Sequence, residues 1–176
     1  KFKIVCYSEH MNNPLSEPKS ILITGASSGI GWALALEYSR TGVHLALCGR
    51  NPDRIYKIAM LCQKKGAHVL YKVIDVRNQK EMAEWIAEID HHTPLDLVIA
   101  NAGVSRSTNI DIKEEEQVRD IFSINMVGTL NTILPIIGPM RLRKKGQIAM
   151  LSSLAGFRGM PSAPAYCASK AAIRSY

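Results

Sequence analysis

The sequence predicts an α/β fold, a doubly wound parallel sheet with helices on both faces. Three observations carry this. Apolar runs at residues 20–24, 44–48, 68–74, 95–100 and 146–151 read as strands covered on both sides rather than one. The stretches between them repeat their apolar residues near every 3.6 positions, as helices do. A glycine-rich turn, Thr24-Gly25-Ala26-Ser27-Ser28-Gly29-Ile30-Gly31, joins the first strand to the first helix. Connections of this length cross between parallel strands, right-handed, and a dinucleotide topology gives strand order 3-2-1-4-5. Ligands then sit at the carboxyl ends of the strands, where the order reverses between the first and the fourth.

Each element has a local cause. The first helix, about 29–41, is stopped by Gly42. The second starts near Pro52, a good first-turn proline, and ends before Gly66. The third, about 78–90, puts Met82, Trp85, Ile86 and Ile89 on one face. A long helix spans about 114–137. Glu114, Glu115 and Glu116 suit its positive N-terminal end, and Pro135 is expected to bend or end it. A last helix begins near Ala163. Residues 1–19 read as an N-terminal extension and 20–176 as one dinucleotide-binding domain. The extension offers a short strand at 2–7, linker at Asn12-Asn13-Pro14 and Glu17-Pro18, and Met11 as a natural start.

Composition narrows the function. The chain has 176 residues, 47% hydrophobic, enough for one domain with a sizeable core. Its net charge of +7 fits lysines and arginines on solvated helix faces, where they help attract an anionic cofactor. The densest basic run, Arg141-Leu142-Arg143-Lys144-Lys145, is short and has no interleaved aromatics, which argues against nucleic-acid binding. Cys6, Cys48, Cys62 and Cys167 form no C-x-x-C pair and no metal pattern with histidine, so neither a metal site nor a disulfide framework is expected. Free thiols suit a reducing compartment. No apolar run approaches the roughly 18 residues of a membrane span, and no signal peptide is evident. The expectation is a cytoplasmic protein without a membrane span.

The glycine turn is a phosphate site in outline. A helix N-terminus presents unpaired N–H groups and the positive end of its dipole. Gly31 is followed by Trp32, not by Lys-Ser/Thr, so this is not a P-loop. The spacing G-x-x-x-G-x-G also differs from the common G-x-G-x-x-G fingerprint. After the second strand comes Gly49-Arg50-Asn51, where NAD-binding chains usually carry a carboxylate for the ribose 2′-hydroxyl. A guanidinium grips a 2′-phosphate instead, which favours NADP over NAD.

Tyr166 and Lys170 stand four apart near a helix start and project from one face. A free phenol titrates near 10, too high for efficient proton transfer at neutral pH, and an adjacent ammonium favours the phenolate. Ser152-Ser153 follows the fifth strand, Asp75-Val76 the third and Asn101-Ala102-Gly103 the fourth. Asn125 lies inside the long helix, where its amide competes with the backbone. Taken alone, Asp75 suits a helix cap, Asn101 a turn, and Asn125 a satisfied core position.

Together these motifs resemble the short-chain dehydrogenase/reductase family, from Ile21 to Tyr176. The resemblance implies a Rossmann-like sheet and an NAD(P)-dependent oxidoreductase interconverting a secondary alcohol and a ketone. It implies catalytic roles for Ser153, Tyr166, Lys170 and Asn125, the last ordering a water beside the lysine. Ser153, thirteen residues before Tyr166, fits the family spacing better than Ser152. Cofactor contacts are implied for Gly25, Ser27, Ser28, Gly29, Ile30, Gly31, Arg50, Asp75, Val76, Asn101, Ala102, Gly103, Tyr166 and Lys170, with Asp75 on the adenine amino group. A small carbonyl or alcohol substrate and a homodimer or homotetramer follow. Two rivals remain: a reductase of carrier-bound 3-oxoacyl chains and a catalytically silent nucleotide-binding module. Family members run beyond this length, with two further strands and a substrate loop. If the chain ended here, the fifth strand would be an exposed sheet edge.

Overall fold

The computed structural model describes the backbone of residues 4–7 and the whole of residues 17–105 and 113–176. The Met11 start and the 12–14 linker lie outside the described residues. The strands are β1 (Ile4–Tyr7), β2 (Ser20–Thr24), β3 (His44–Gly49), β4 (His68–Val73), β5 (Leu97–Ala100) and β6 (Gln147–Leu151). They form one sheet in the order β1-β6-β5-β2-β3-β4. The five strands from β2 onward are parallel and in the expected 3-2-1-4-5 order. β1 pairs antiparallel with β6, Ile4 opposite Leu151, so the fifth strand of the sequence reading is not the edge expected of it.

Helices α1 (Gly29–Tyr38), α2 (Pro52–Lys64), α3 (Gln79–His92), α4 (Glu114–Phe122), α5 (Gly128–Leu142) and α6 (Pro164–Ser175) fill the connections. α1 stops short of Thr41 because Ser39 closes it: its Oγ donates to the Leu36 carbonyl at 2.7 Å. The α2 cap is Asn51, whose side chain accepts from Arg54 N at 2.9 Å, with Pro52 behind it. The α3 cap is Asn78, so Asp75 is released from the capping role it suited as an isolated residue.

The long helix differs most from expectation. It continues through Pro135 and Pro139 to Leu142, and residues Ser123–Val127 between α4 and α5 are wound as a π-helix. An interior proline costs about 3 kcal/mol. Burial of Ile133, Ile136 and Met140 outweighs it, since each buried aliphatic side chain contributes about 1.5–3 kcal/mol. By length and composition, Glu114–Leu142 is also apolar enough to cross a membrane, contrary to the sequence reading, but half of its apolar window is buried inside the protein.

Alternate residues of β2 and β3 feed two cores. Ile21, Ile23, Leu45 and Leu47 pack with Ala35, Ile55, Ile58 and Cys62 on one face. Leu22, Ala46, Cys48 and Val98 pack with Met82, Trp85, Ile86 and Met140 on the other. Both faces are therefore apolar, which is why the strands lack polar alternation. Two members of the basic run make framework contacts. Arg143 pairs with Asp90 at 2.8 Å and Lys145 with Asp96 at 2.8 Å. Asp96 also accepts from the N–H of Lys19 and Ser20, which fixes the entry to β2.

Candidate active site

The site is built around the turn after β2. Gly25 has φ 66°, and a Cβ there would lie 2.8 Å from the Ala102 Cα; at Gly31 it would lie 2.4 Å from the Gly25 carbonyl oxygen. Only glycine permits both the left-handed turn and these approaches. The Asn101 amide locks the turn from the next strand, donating to the carbonyls of Thr24 at 2.9 Å and Gly25 at 3.2 Å. Thr24 Oγ1 returns the contact, accepting from Asn101 N and Ala102 N at 3.2 Å. Asn101-Ala102-Gly103 thus braces the glycine turn. Among the described residues α1 has no side-chain cap on its N-terminus and no acidic residue in its first turn, so its leading N–H groups face outward for an anion.

A cavity of about 430 Å³ opens along the carboxyl ends of the parallel strands. Gly25, Ser27, Ser28, Gly29 and Ile30 form its floor. Arg50, Asn51, Arg54, Asp75 and Val76 stand along one side, and Asn101, Ala102, Gly103, Val104 and Ser105 along another. Ser152, Tyr166 and Lys170 close the far end. Most sequence-predicted residues therefore share one space. Ser153, Gly31 and Asn125 are not among the residues that line it.

Arg50 and Arg54 are both exposed, one before α2 and one in its first turn. Arg54 was missed in the sequence, where a lone arginine on a helix looks like solvated surface; its place just after the Asn51-Pro52 cap was the signal. Asp75 receives Arg77 from two sides, Nε at 3.1 Å and Nη2 at 2.7 Å, plus the Arg77 N–H at 3.0 Å. Burial pushes this carboxyl up, but the hydrogen bonds from Arg77 and the charges of Arg77 and Arg50 outweigh it and hold it below its ordinary value.

Lys170 is 6% exposed, and its Nζ donates to the Leu151 carbonyl at 2.7 Å and lies 5.8 Å from the Tyr166 ring centre. Burial pulls its pKa down to about 8. Asn125 is fully buried; its Oδ1 accepts from Val104 N at 2.8 Å, and its Nδ2 donates to Val104 O and Ser169 Oγ at 2.9 Å. One Oδ1 lone pair stays open. A methyl on Gly103 would lie 3.1 Å from that oxygen and 3.4 Å from Lys170 Nζ, so the two polar atoms face the same small gap. The π-helix that carries Asn125 gave no sequence signal.

The two serines separate cleanly. Ser152 is buried and donates its hydroxyl to the Lys170 carbonyl at 2.7 Å. Ser153 accepts from Ala155 N at 3.2 Å, and among the described residues its own O–H proton has no acceptor. It opens the short 3₁₀ turn Leu154–Gly156, which packs on α6, the helix that bears Tyr166; a Cβ on Gly156 would lie 2.7 Å from the Lys170 carbonyl oxygen.

Comparison with known proteins places the chain. The short chain dehydrogenase profile matches residues 19–176. An uncharacterised oxidoreductase of Myxococcus xanthus is 38% identical over 90% of this chain and 63% of its own length. A protein of Arabidopsis thaliana named 11-beta-hydroxysteroid dehydrogenase-like 2 is 35% identical over 97% of this chain and 56% of its own. Among solved structures, an NAD+-bound xylitol dehydrogenase superposes with a TM-score of 0.80 at 25% identity, over 89% of this chain and 61% of that one. An alcohol dehydrogenase from Thermococcus sibiricus complexed with 5-hydroxy-NADP gives 0.76 at 29% identity, over 89% and 67%. The chain spans less than two thirds of the length of the first of these relatives. The profile match, the 3-2-1-4-5 parallel sheet and the shared cavity lead to one conclusion: the chain belongs to the short-chain dehydrogenase family.

Proposed function

We propose that this chain is the cofactor-binding and catalytic part of an NADP(H)-dependent oxidoreductase that interconverts a secondary alcohol and a ketone. One observation carries the reading: a single cavity joins the α1 N-terminus and two arginines at one end to Tyr166 and Lys170 at the other. The residues fit a phosphorylated dinucleotide. The Gly25 cradle leaves room against Ala102 that a Cβ would take, and Arg50 and Arg54 supply charge where a 2′-phosphate requires it.

When bound, the nicotinamide supplies or accepts the hydride. The chain's own groups do the rest. The free O–H of Ser153 donates to the substrate oxygen and orients it. Tyr166 gives the proton to that oxygen in reduction and takes it in oxidation. The Lys170 ammonium stabilises the phenolate that forms, and its short bond to Leu151 holds it in place. Asn125 and Lys170 flank the gap at Gly103, where a water would pass the proton onward. The test is NADPH oxidation by the full-length protein against a panel of ketones. A protein that binds NADPH and turns over none of them would point to the silent nucleotide-binding module.

The exposed apolar residues Val118, Phe122, Val127 and Leu134 of the long helix support assembly as a homodimer or homotetramer. The free thiols of Cys48, Cys62 and Cys167 favour the cytoplasm.

A further inference from the structure

Arg77 does not line the cavity, yet it is the residue most heavily engaged with one that does. Its guanidinium is shared. Nε and Nη2 face the Asp75 carboxylate, while Nη1 reaches Asp120 in α4 at 2.8 Å. The loop between them is pinned from the same long helix. The Asn131 amide, buried, donates to the carbonyls of Val76 at 2.9 Å and Arg77 at 3.3 Å. Asp75 therefore cannot turn without breaking a bidentate pair, and Arg77 cannot leave without abandoning a second carboxylate.

The count of lone pairs matters. A carboxylate offers about four acceptor positions. Three donors of Arg77, its backbone N–H, Nε and Nη2, already point at Asp75. About one position is left, on a carboxylate that borders the cavity. A fixed, charged acceptor with one vacancy selects a ligand group with an N–H to give and rejects a group that presents an oxygen there.

We infer that Arg77, held by Asp120, is a positioning residue that fixes Asp75 as a single-vacancy acceptor and so sets selectivity for the amino group of the cofactor's adenine. This rests on the cofactor reading above. Hypoxanthine is the discriminating probe, because it replaces that amino donor with a carbonyl acceptor at the same place. Asp120 is the discriminating position, because it touches Arg77 and not the cavity.

The experiment titrates the full-length protein with NADPH and with its hypoxanthine analogue, following reduced-nicotinamide fluorescence. The unmodified protein should prefer NADPH by roughly 10-fold to 100-fold, as a hydrogen bond to a charged acceptor implies. Asp120→Asn should cut that ratio several-fold with little change in melting temperature. Arg77→Lys should cut it further, because lysine keeps the charge and loses the fork. A ratio unchanged in both variants, but lost in Asp75→Ala, overturns the role of Arg77 and leaves the cofactor reading standing. A ratio unchanged in Asp75→Ala removes Asp75 from adenine recognition and the inference with it. If Arg77→Lys unfolds the chain, Asp120→Asn alone decides.

Discussion

The two ends of the cavity hold positive charge in opposite ways. At one end Arg50 and Arg54 are exposed, and behind them Arg77, outside the cavity with side-chain exposure of 39%, is tied to two carboxylates. At the other, Lys170 is buried, its hydrogen bond goes to a neutral carbonyl, and burial alone pulls its pKa down to about 8. Exposed charge is cheap to place and weak in salt; the Debye length is about 8 Å at physiological ionic strength. Buried charge is costly to place and strong where it acts. The proposed function, with an anion-attracting end and a proton-handling end, calls for those two designs respectively.

The largest expected effect lies at the buried end. Tyr166→Phe removes the proposed proton carrier and leaves the ring, so turnover should fall roughly 10²–10⁴-fold while NADPH affinity holds. Steady-state rates beside a fluorescence titration check this, and equal loss of both would make Tyr166 a structural residue. Next comes Lys170. Its folded pKa lies below the free-lysine value, so the unfolded chain binds more protons between about 8 and 10.5. The cost of burying the ammonium is full below about pH 8 and is relieved as pH rises toward 10.5. Its contribution to stability should thus rise across that window by on the order of 3 kcal/mol. Lys170→Met should erase that slope in denaturant unfolding measured at several pH values.

Smaller effects test the framework and the exposed end. Gly31→Ala forces a Cβ against the Gly25 carbonyl and should cost about 1–3 kcal/mol, read as a lower denaturation midpoint together with weaker NADPH binding. Arg50→Asp should lower the preference for NADPH over NADH by roughly 10-fold at low salt, and by less as salt is raised. A salt-independent change would mean that Arg50 acts through packing rather than charge, which would collapse the contrast between the two ends.

What the sequence revealed follows the same division. The glycine turn was readable because sterics leave few residues able to make it. Tyr166 and Lys170 were readable because four positions bring two side chains to one helix face. Arg54, Arg77 and Asp120 were not, since an exposed charge looks the same whether it meets solvent or another side chain 43 positions away. Ser152 and Ser153 were ranked by spacing; only the hydroxyl partners show one spent and one unspent. Pro135 does not end the helix, because local propensity counts one broken hydrogen bond, whereas the buried Ile133 and Ile136 hold that turn in place from a distance. The antiparallel pairing of β1 with β6 depends on residues far apart in the chain, which no local pattern reports.

The wide turn at Ser123–Val127 has a further effect on the rod that contains it. An α-helix advances about 100° per residue. The wide turn holds one residue more than an α-helical turn, so deleting one there would let the backbone relax into ordinary winding with the downstream helix kept in phase. The cost would fall on the turn itself: Asn125 would be re-aimed away from Val104 and Ser169, while Ile133, Ile136 and Met140 would stay on the sheet. The loosened coil is what lets one rod satisfy a buried amide and an oily stripe at once. Insertions and deletions should therefore be far less tolerated in those five positions than in the surface turns nearby.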